Sequence, residues 1–297
     1  MNQTVHIPVM LEETMLGLEV RPGGVWVDGT LGGGSHTRAL LERSAPDGIV
    51  YSFDVDPKAL ERAKESLASF GDRFQPVEAN FRHLDDRLAE RGVMSVDGIL
   101  LDLGVSSDEI ADSSKGLSFM TEGPLDMRLG PKANEDGLTA ADIVNTWKPN
   151  EIEQLIREFG EEKFAKRIVD AIVTARKSSR ITRTTELAGI IKQAVPSSYE
   201  RGRIHPATRT FQALRIAVND EMETLKEAID GAHRILAPGA RLAVIAFHSL
   251  EDRIVKVAFK DKERWEPLTK RPQEATEQEI TKNSRSRSAK LRIAKKK

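Results

Sequence analysis

Residues 25–36 read VWVDGTLGGGSH, and this stretch decides the fold. Its first three residues form a short apolar strand candidate ending at Asp28, and three glycines at 32–34 lead into a helical pattern over 37–43. Glycine lets the backbone approach a ligand closely where a parallel strand passes into a helix. The stretch favours a ligand-binding turn, although a purely structural strand–helix turn would also use glycine.

The sequence on either side extends this unit into an α/β domain. Further strand candidates lie at 49–53, 74–77, 97–103 and 242–247, with helical patterns between them. Strands that alternate with helices at this spacing predict a parallel sheet with helical crossovers. The run at 97–103 is almost wholly apolar, which predicts a strand buried on both faces.

A segment of different character interrupts the α/β pattern. Residues 104–137 resemble loops, and residues 139–194 are helical throughout with no convincing strand. We therefore predict an inserted helical domain at 110–205, within an α/β domain formed by 1–109 and 206–297. Apolar residues then step by three or four over 211–236, which predicts one long amphipathic helix.

Composition excludes several classes of protein. The 297 residues are 39% hydrophobic and 31% charged, which suits a folded chain rather than a disordered one. The absence of cysteine excludes disulfides, iron–sulfur clusters, cysteine-ligated zinc and a cysteine nucleophile. No apolar run is long enough for a signal peptide or a membrane span, so we expect a cytoplasmic protein without membrane contact.

Charge is distributed unevenly along the chain. Residues 281–297 hold eight Lys or Arg and no acid, whereas the remainder holds 37 basic and 46 acidic residues. Alternation around Leu291 predicts a half-exposed strand with Lys290 and Arg292 on its outer face. A basic tail on an acidic body is typical of contact with phosphate, and a solubilising tail would explain it equally well.

The glycine turn discriminates among nucleotide ligands. A dinucleotide site needs a third glycine in GxGxxG, and a P-loop needs a lysine, and both are missing here. The turn approaches the DxGxGxG form of methyltransferases, with Thr30 in place of the first glycine. Asp54 follows Gly34 by twenty residues and is expected to accept both hydroxyls of a ribose. Asp56 is the alternative, unless it only begins the next helix.

Two further residues follow strands of the predicted sheet. Phe81 could stack on an adenine or be an ordinary core aromatic. Asp102 ends an apolar strand, where an ionised carboxylate needs partners, and its alternative role is helix capping. His205, His248 and Glu251 could be imagined as metal ligands, but the histidines are scattered and we expect no metal site.

Longer segments are specific enough to indicate a family. The chain resembles the RsmH (MraW) family of methyltransferases, which act on N4 of a cytidine in the decoding region of bacterial 16S rRNA. The matching segments are HIPVMLEE (6–13), DGTLGGGSHT (28–37), DGILLDLGVSS (97–107), GPLDMR (123–128), TAAD (139–142), GEEKFAKRI (160–168), HPATRTFQALRIAVN (205–219), FHSLEDRIVK (247–256) and SRSAKLR (286–292).

The resemblance implies a Rossmann-like class I methyltransferase domain that binds S-adenosylmethionine. The implied cofactor contacts are Gly32, Gly34, Ser35, His36, Asp54, Phe81, Asp102 and Glu109. Two of these depart from the family pattern. Ser35 replaces a glycine and should crowd the loop slightly, and Asp108-Glu109 replaces Pro-Gln, which removes an amide donor. Lys115 conservatively replaces an arginine.

The implied substrate is 16S rRNA, expected within the assembled 30S subunit because the acidic body should bind free RNA weakly. Candidate substrate contacts are Arg209, His248, Arg285 and Arg287. A second basic patch on the insert, or else a solvated helix face, comprises Lys163, Lys166, Arg167, Arg176, Lys177, Arg180 and Arg183. Two other functions remain open: a nicotinamide-dependent oxidoreductase, disfavoured by the missing third glycine, and a non-catalytic ribosome-assembly factor that binds rRNA through the basic tail.

Overall fold

A computed structural model describes residues 8–131, 133, 134, 136–196, 199 and 205–297 of the chain. These residues form two compact units. The first comprises the described residues up to Ser106 together with Met222–Lys297, and the second comprises the described residues of Ser107–Glu221.

The first unit is built on a sheet that has eight strands among the described residues. The strands are β1 (Val25–Asp28), β2 (Ile49–Asp54), β3 (Phe74–Glu78), β4 (Val96–Asp102), β5 (Leu236–Ala246), β6 (Trp265–Pro267), β7 (Gln273–Glu274) and β8 (Lys290–Lys296). Their order is β3-β2-β1-β4-β5-β8-β6, and β7 also pairs with β8. The five strands from β3 to β5 are parallel, and β8 runs antiparallel to β5.

Helices are numbered along the chain through both units. They are α1 (Leu11–Leu18), α2 (Ser35–Arg43), α3 (Pro57–Ser66), α4 (Leu84–Ala89), α5 (Ser107–Ala111), α6 (Ala140–Thr146), α7 (Pro149–Gly160), α8 (Ala165–Ala175), α9 (Thr184–Ala194), α10 (Thr208–Val218), α11 (Glu221–Ile235), α12 (Ser249–Ala258) and α13 (Glu277–Lys282).

The sheet is covered on both faces, as the apolar character of β4 predicts. Ile99 and Leu101 belong to one hydrophobic core and Leu100 to another, and all three side chains are fully buried. Successive strand residues point to opposite faces, so the two cores lie on opposite sides of the sheet. The prediction of an α/β, Rossmann-like domain with a helical insert is confirmed.

The second unit is helical and has its own core. Helices α6 to α10 contribute apolar residues to one cluster, including Ile152, Ile168 and Phe211. The sequence assigned 206–221 to the α/β domain, whereas in the structure these residues cluster with the helical unit.

The predicted single helix over 211–236 is wrong. The structure has α10 and α11 there, separated at Asn219 and Asp220. Asp220 has a φ of 48°, in the left-handed region that an α-helix cannot accommodate. The apolar spacing of the sequence continues through 219 and 220, which is why the pattern does not reveal the break.

The end of the basic tail forms a strand, as predicted, and this strand is an inner one of the sheet. β8 lies between β5 and β6, and Leu291 and Ile293 are buried within it. Arg292, expected on the outer face, is only 7% exposed, and its Nε donates to Asp252 Oδ1 over 2.7 Å. The prediction of an exposed Arg292 is therefore wrong, because the guanidinium pairs with a carboxylate of α12.

No helix within the described ranges combines the length and the apolar character that crossing a membrane requires.

Candidate functional site

Three carboxylates end neighbouring strands of the parallel sheet. β1 pairs with β2 on one side and with β4 on the other, and these strands end at Asp28, Asp54 and Asp102. Ligands of open α/β sheets bind at the carboxyl ends of the strands, where the strand order reverses. In this sheet the reversal falls between β1 and β4.

The glycine turn fits tightly between β1 and β4. The N–H of Gly29 donates to the Leu100 carbonyl over 2.8 Å, and a Cβ at Gly29 would lie 2.4 Å from Leu101 Cδ2. Gly34 begins α2 with a φ of 75°, a conformation that glycine adopts without steric cost. The backbone conformation therefore favours glycine at Gly34, and a side chain at Gly29 would displace the buried side chain of Leu101.

Asp28 is an internal support of this turn. Its side chain is fully buried and accepts hydrogen bonds from the Thr37 hydroxyl at 2.7 Å and from the Thr30 N–H at 3.0 Å. Burial raises the pKa of the Asp28 carboxyl, and the hydrogen bonds from Thr37 and Thr30 oppose that rise. Asp28 thus joins β1, the turn and α2.

Asp54 and Asp56 have different roles, which the sequence alone left open. Asp54 Oδ2 accepts from the Gly32 N–H at 3.0 Å, so its carboxylate is held against the glycine turn. Asp56 is 6% exposed and caps α3 by accepting from the Lys58 N–H at 2.9 Å. The structure therefore accounts for Asp56 as a helix cap and leaves Asp54 beside the turn.

Phe81 lies at the same edge of the sheet. It begins a short 3₁₀ helix after β3, and its Cβ is 3.4 Å from the place that a Cβ on Gly29 would occupy. The ring is half-buried against one of the two cores. One part of the Phe81 side chain packs against this core, and the rest is accessible beside the glycine turn.

Asp102 is the most unusual carboxyl group of the site. Its side chain is 17% exposed, and its Oδ2 lies 3.4 Å from Nδ1 of His36, a buried residue in the first turn of α2. Its Oδ1 is buried and has no hydrogen-bond partner among the described residues. Burial raises the pKa of Asp102 well above its usual value, and the Asp28 and Glu251 carboxylates add to the rise while Arg285 opposes it.

Thr30 is a residue of the site that the sequence analysis missed as a contact. Its hydroxyl accepts a hydrogen bond from the Asp102 N–H at 2.7 Å, which ties the turn to the end of β4. The sequence did hold an indication of this contact, because Thr30 replaces the first glycine of DxGxGxG. Its hydroxyl can form a hydrogen bond, which glycine cannot.

Glu109 belongs to the second unit, whereas the other expected cofactor contacts belong to the first. Its Oε1 is 3.2 Å from Lys115 Nζ, and both side chains are largely buried. Lys115 Nζ also donates to the Leu129 carbonyl over 2.6 Å. Residues 109 and 115, which both depart from the family pattern, are therefore partners of each other.

The expected substrate contacts also differ in their surroundings. Arg209 belongs to the helical unit and donates to the Glu161 carbonyl over 2.9 Å. Arg287 is exposed, whereas Arg285 is half-buried and donates to the Val105 carbonyl. Arg285 thus points into its own unit rather than away from it.

His248, another expected substrate contact, is the N-cap of α12. It accepts from the Glu251 N–H at 3.4 Å, and its Nε2 is 3.2 Å from Glu251 Oε1. The Glu251 carboxylate in turn accepts from the Phe247 N–H at 2.7 Å. His248 is therefore held by a buried carboxylate within the first unit.

The basic patch on the insert is partly neutralised. Arg176 donates to the carbonyls of Val144 and Trp147, and Arg180 pairs with Asp142 at 2.7 Å. Lys166 and Arg167 on α8 are exposed and form no ion pair with any described residue. The cations available to an external partner are thus fewer than the sequence suggests.

Comparison with known proteins identifies the family. The model of the MraW methylase family matches residues 3–297. A ribosomal RNA small subunit methyltransferase H from Geobacter sulfurreducens is 50% identical over 309 residues, covering 98% of each chain. Its counterpart from Symbiobacterium thermophilum is 47% identical, covering 97% of this chain and 95% of its own. A solved rRNA methylase from Streptococcus thermophilus is similar at a TM-score of 0.44 and 14% identity, covering 98% of each chain. A family match over nearly every residue, together with relatives this similar along their whole length, shows that the chain belongs to the MraW methylase family.

Proposed function

We propose that this chain transfers a methyl group from S-adenosylmethionine to the N4 exocyclic amine of a cytidine in the decoding region of bacterial 16S rRNA. At the coarser level, the chain is an S-adenosylmethionine-dependent rRNA methyltransferase. The relatives named ribosomal RNA small subunit methyltransferase H support the assignment to rRNA of the small subunit. The resemblance of the motifs supports the assignment to N4 of a cytidine.

The observation that carries the proposal is the unpartnered Oδ1 of Asp102. A buried polar atom without a hydrogen-bond partner is costly, and such atoms in native proteins call for an explanation. This one lies at the carboxyl end of β4, next to the switch point of the sheet and within reach of the exterior. A donor on bound S-adenosylmethionine would satisfy it, and we therefore assign Asp102 to the cofactor site.

The remaining residues of the turn suit an adenosine group. Asp54 presents a carboxylate already oriented by the Gly32 N–H, and each of its oxygens retains acceptor capacity for a ribose hydroxyl. The accessible part of Phe81 offers an apolar surface for the base. Gly34, Ser35 and His36 complete the wall at the start of α2. These residues fit S-adenosylmethionine, whose sulfonium supplies an activated methyl group when it is bound.

The task left to the protein is positioning and exclusion of water. Cytosine N4 is conjugated with its ring and weakly nucleophilic, so one of its hydrogens must be held while the lone pair turns toward the methyl carbon. Asp102 in its ionised form can accept that N–H, as can a backbone carbonyl, and one N4 proton must leave as the amine gains the methyl group. The target base must leave any stack to reach such a site.

We further propose that the helical unit recognises the substrate and that the substrate is the assembled small subunit. Arg209 and the exposed cations of α8 belong to that unit. Outside residues 281–297 the chain carries more acidic than basic residues, which disfavours tight binding to free RNA. We also propose Glu109 as a cofactor contact. Its carboxylate would have to bind the cofactor while it pairs with Lys115.

The proposal is tested by methyl transfer from labelled S-adenosylmethionine to 30S subunits or to free 16S rRNA, both taken from cells that lack the activity. The modified nucleoside is identified by mass spectrometry. We expect label on N4 of cytidine, and more of it in subunits than in free rRNA. Label on another nucleoside, or none in either substrate while the cofactor still binds, would contradict the proposed acceptor.

A matched pair of variants separates this function from a non-catalytic role in ribosome assembly. Asp102→Asn keeps the size of the side chain but removes its charge, and Lys262→Gln changes an exposed cation at the surface of the same unit. We expect Asp102→Asn to lose transfer and Lys262→Gln to retain it. Full function of Asp102→Asn in cells would favour the assembly role.

A further inference from the structure

The carboxy-terminal segment before β8 is a built element of the first unit. Residues Ser284–Ser288 form a 3₁₀ turn capped by Asn283, whose side chain accepts from the Arg285 N–H at 3.3 Å. Ser286 is fully buried and its hydroxyl donates to the Asn283 carbonyl over 2.8 Å. These hydrogen bonds hold the backbone at Arg285 and so fix where its side chain begins.

Arg285 reaches the loop that follows β4. Its guanidinium donates to the carbonyl of Val105, three residues beyond Asp102. The next residue, Ser106, has its Cβ 3.8 Å from the place that a Cβ on Gly32 would occupy. The loop that Arg285 holds thus lies directly against the glycine turn.

The charges around Asp102 are mostly negative. Asp28 from β1 and Glu251 from α12 act on it with the same sign of charge, and His36 from α2 lies 3.4 Å from its Oδ2. Arg285 acts on it with the opposite sign of charge. A favourable charge of this kind matters most where burial weakens solvation.

We propose that Arg285 is a positioning residue of the cofactor site, where it holds the loop after β4 and supplies the positive charge that keeps Asp102 a hydrogen-bond acceptor. This inference rests on the proposed assignment of Asp102 to the cofactor. It reassigns Arg285 from contact with RNA phosphate to a role inside the methyltransferase unit.

The consequence is a defined dependence of cofactor binding on pH. The pKa of Asp102 is already raised by burial and by two neighbouring carboxylates, and Arg285 opposes that rise. Without the guanidinium the pKa rises further, so the acceptor form of Asp102 is populated only at higher pH. Binding that needs this form should then weaken at neutral pH and recover under alkaline conditions.

The test is calorimetric titration of Arg285→Gln with S-adenosylmethionine, from mildly acidic to mildly alkaline pH. We expect affinity roughly tenfold weaker at neutral pH, as for loss of one charge-assisted interaction. That loss should shrink as the pH rises. Arg285→Lys keeps the charge, so its binding should follow the pH profile of the unchanged protein more closely. Lys262→Gln removes an exposed cation elsewhere in the same unit and should match the unchanged protein throughout.

Two outcomes would overturn the inference. Unchanged affinity and pH profile in Arg285→Gln would remove any role of Arg285 in cofactor binding. An equal loss at every pH, shared by Arg285→Lys, would reduce the residue to a support of the loop. Asp102→Asn separates this from the proposed function: if it binds S-adenosylmethionine normally, the assignment of Asp102 fails, and if it alone is impaired, only the role of Arg285 fails.

Discussion

At the scale of single residues, Asp54 and Asp56 offer a direct contrast between a proposed ribose contact and a helix cap. Asp54→Ala should weaken S-adenosylmethionine binding roughly a hundredfold, because the two proposed hydrogen bonds from the ribose hydroxyls are lost. Asp56→Ala should leave affinity unchanged and cost about 1 kcal/mol of stability, as for loss of an N-cap. Calorimetric titration and urea unfolding of both variants measure the two effects. Similar affinity losses in both would contradict the separation of roles.

The sequence reveals the residues of the site whose position follows from a strand end. Asp54 and Asp102 come directly after apolar runs, and Gly34 follows from the steric needs of the turn. Thr30 and Arg285 could not be found in this way. Their contacts, with the Asp102 N–H and the Val105 carbonyl, join segments 72 and 180 residues apart in the chain. Such contacts depend on the tertiary fold, which local spacing does not encode.

At the scale of elements, an ion pair joins β8, the strand of the basic tail, to α12 and gives that strand a structural role. The Arg292 and Asp252 side chains are 9% and 14% exposed, and two hydrogen bonds join them. Arg292→Met should destabilise the protein by about 3 kcal/mol, because it leaves a buried carboxylate without its main partner. Urea unfolding measures this, with the exposed Arg287→Met as the control. A loss no larger than that of the control would mean that the pair is unimportant for folding.

The same two elements show what an alternating pattern can and cannot predict. Alternation around Leu291 correctly predicts a strand, but it assigns every basic residue to the outer face. Arg292 is nonetheless buried, because a carboxylate on α12 lies opposite it. The apolar stepping through 211–236 likewise predicts helix correctly yet misses the break at Asp220, where one backbone angle ends the helix without altering the pattern. Periodicity predicts which face of a helix or strand is apolar. It does not predict the ion-pair partner of a basic residue or a break in a helix.

At the scale of the whole molecule, the cations of the tail and those of α8 differ in whether they have acidic partners. Two cations of the basic tail, which the sequence suggested as contacts for RNA, already form ion pairs within the protein. Arg292 pairs with Asp252, and Lys295 pairs with Glu266 at 2.6 Å. Exposed cations remain on α8 of the helical unit, where Lys166 and Arg167 have no acidic partner among the described residues. Phosphate contacts of the proposed substrate are therefore better sought on α8 than on β8.

This assignment predicts how binding to small subunits responds to salt. Each phosphate contact contributes roughly 0.7 to 0.9 to the slope of log affinity against log salt concentration. Lys166→Gln combined with Arg167→Gln should weaken binding at low salt and flatten that slope by roughly 1.4 to 1.8. Arg157→Gln, on neighbouring α7, removes a cation already paired with Glu153 and should change neither quantity. If the double variant keeps the full slope, the phosphate contacts lie elsewhere, whereas a loss of affinity for S-adenosylmethionine as well would show that the variant perturbs the protein as a whole.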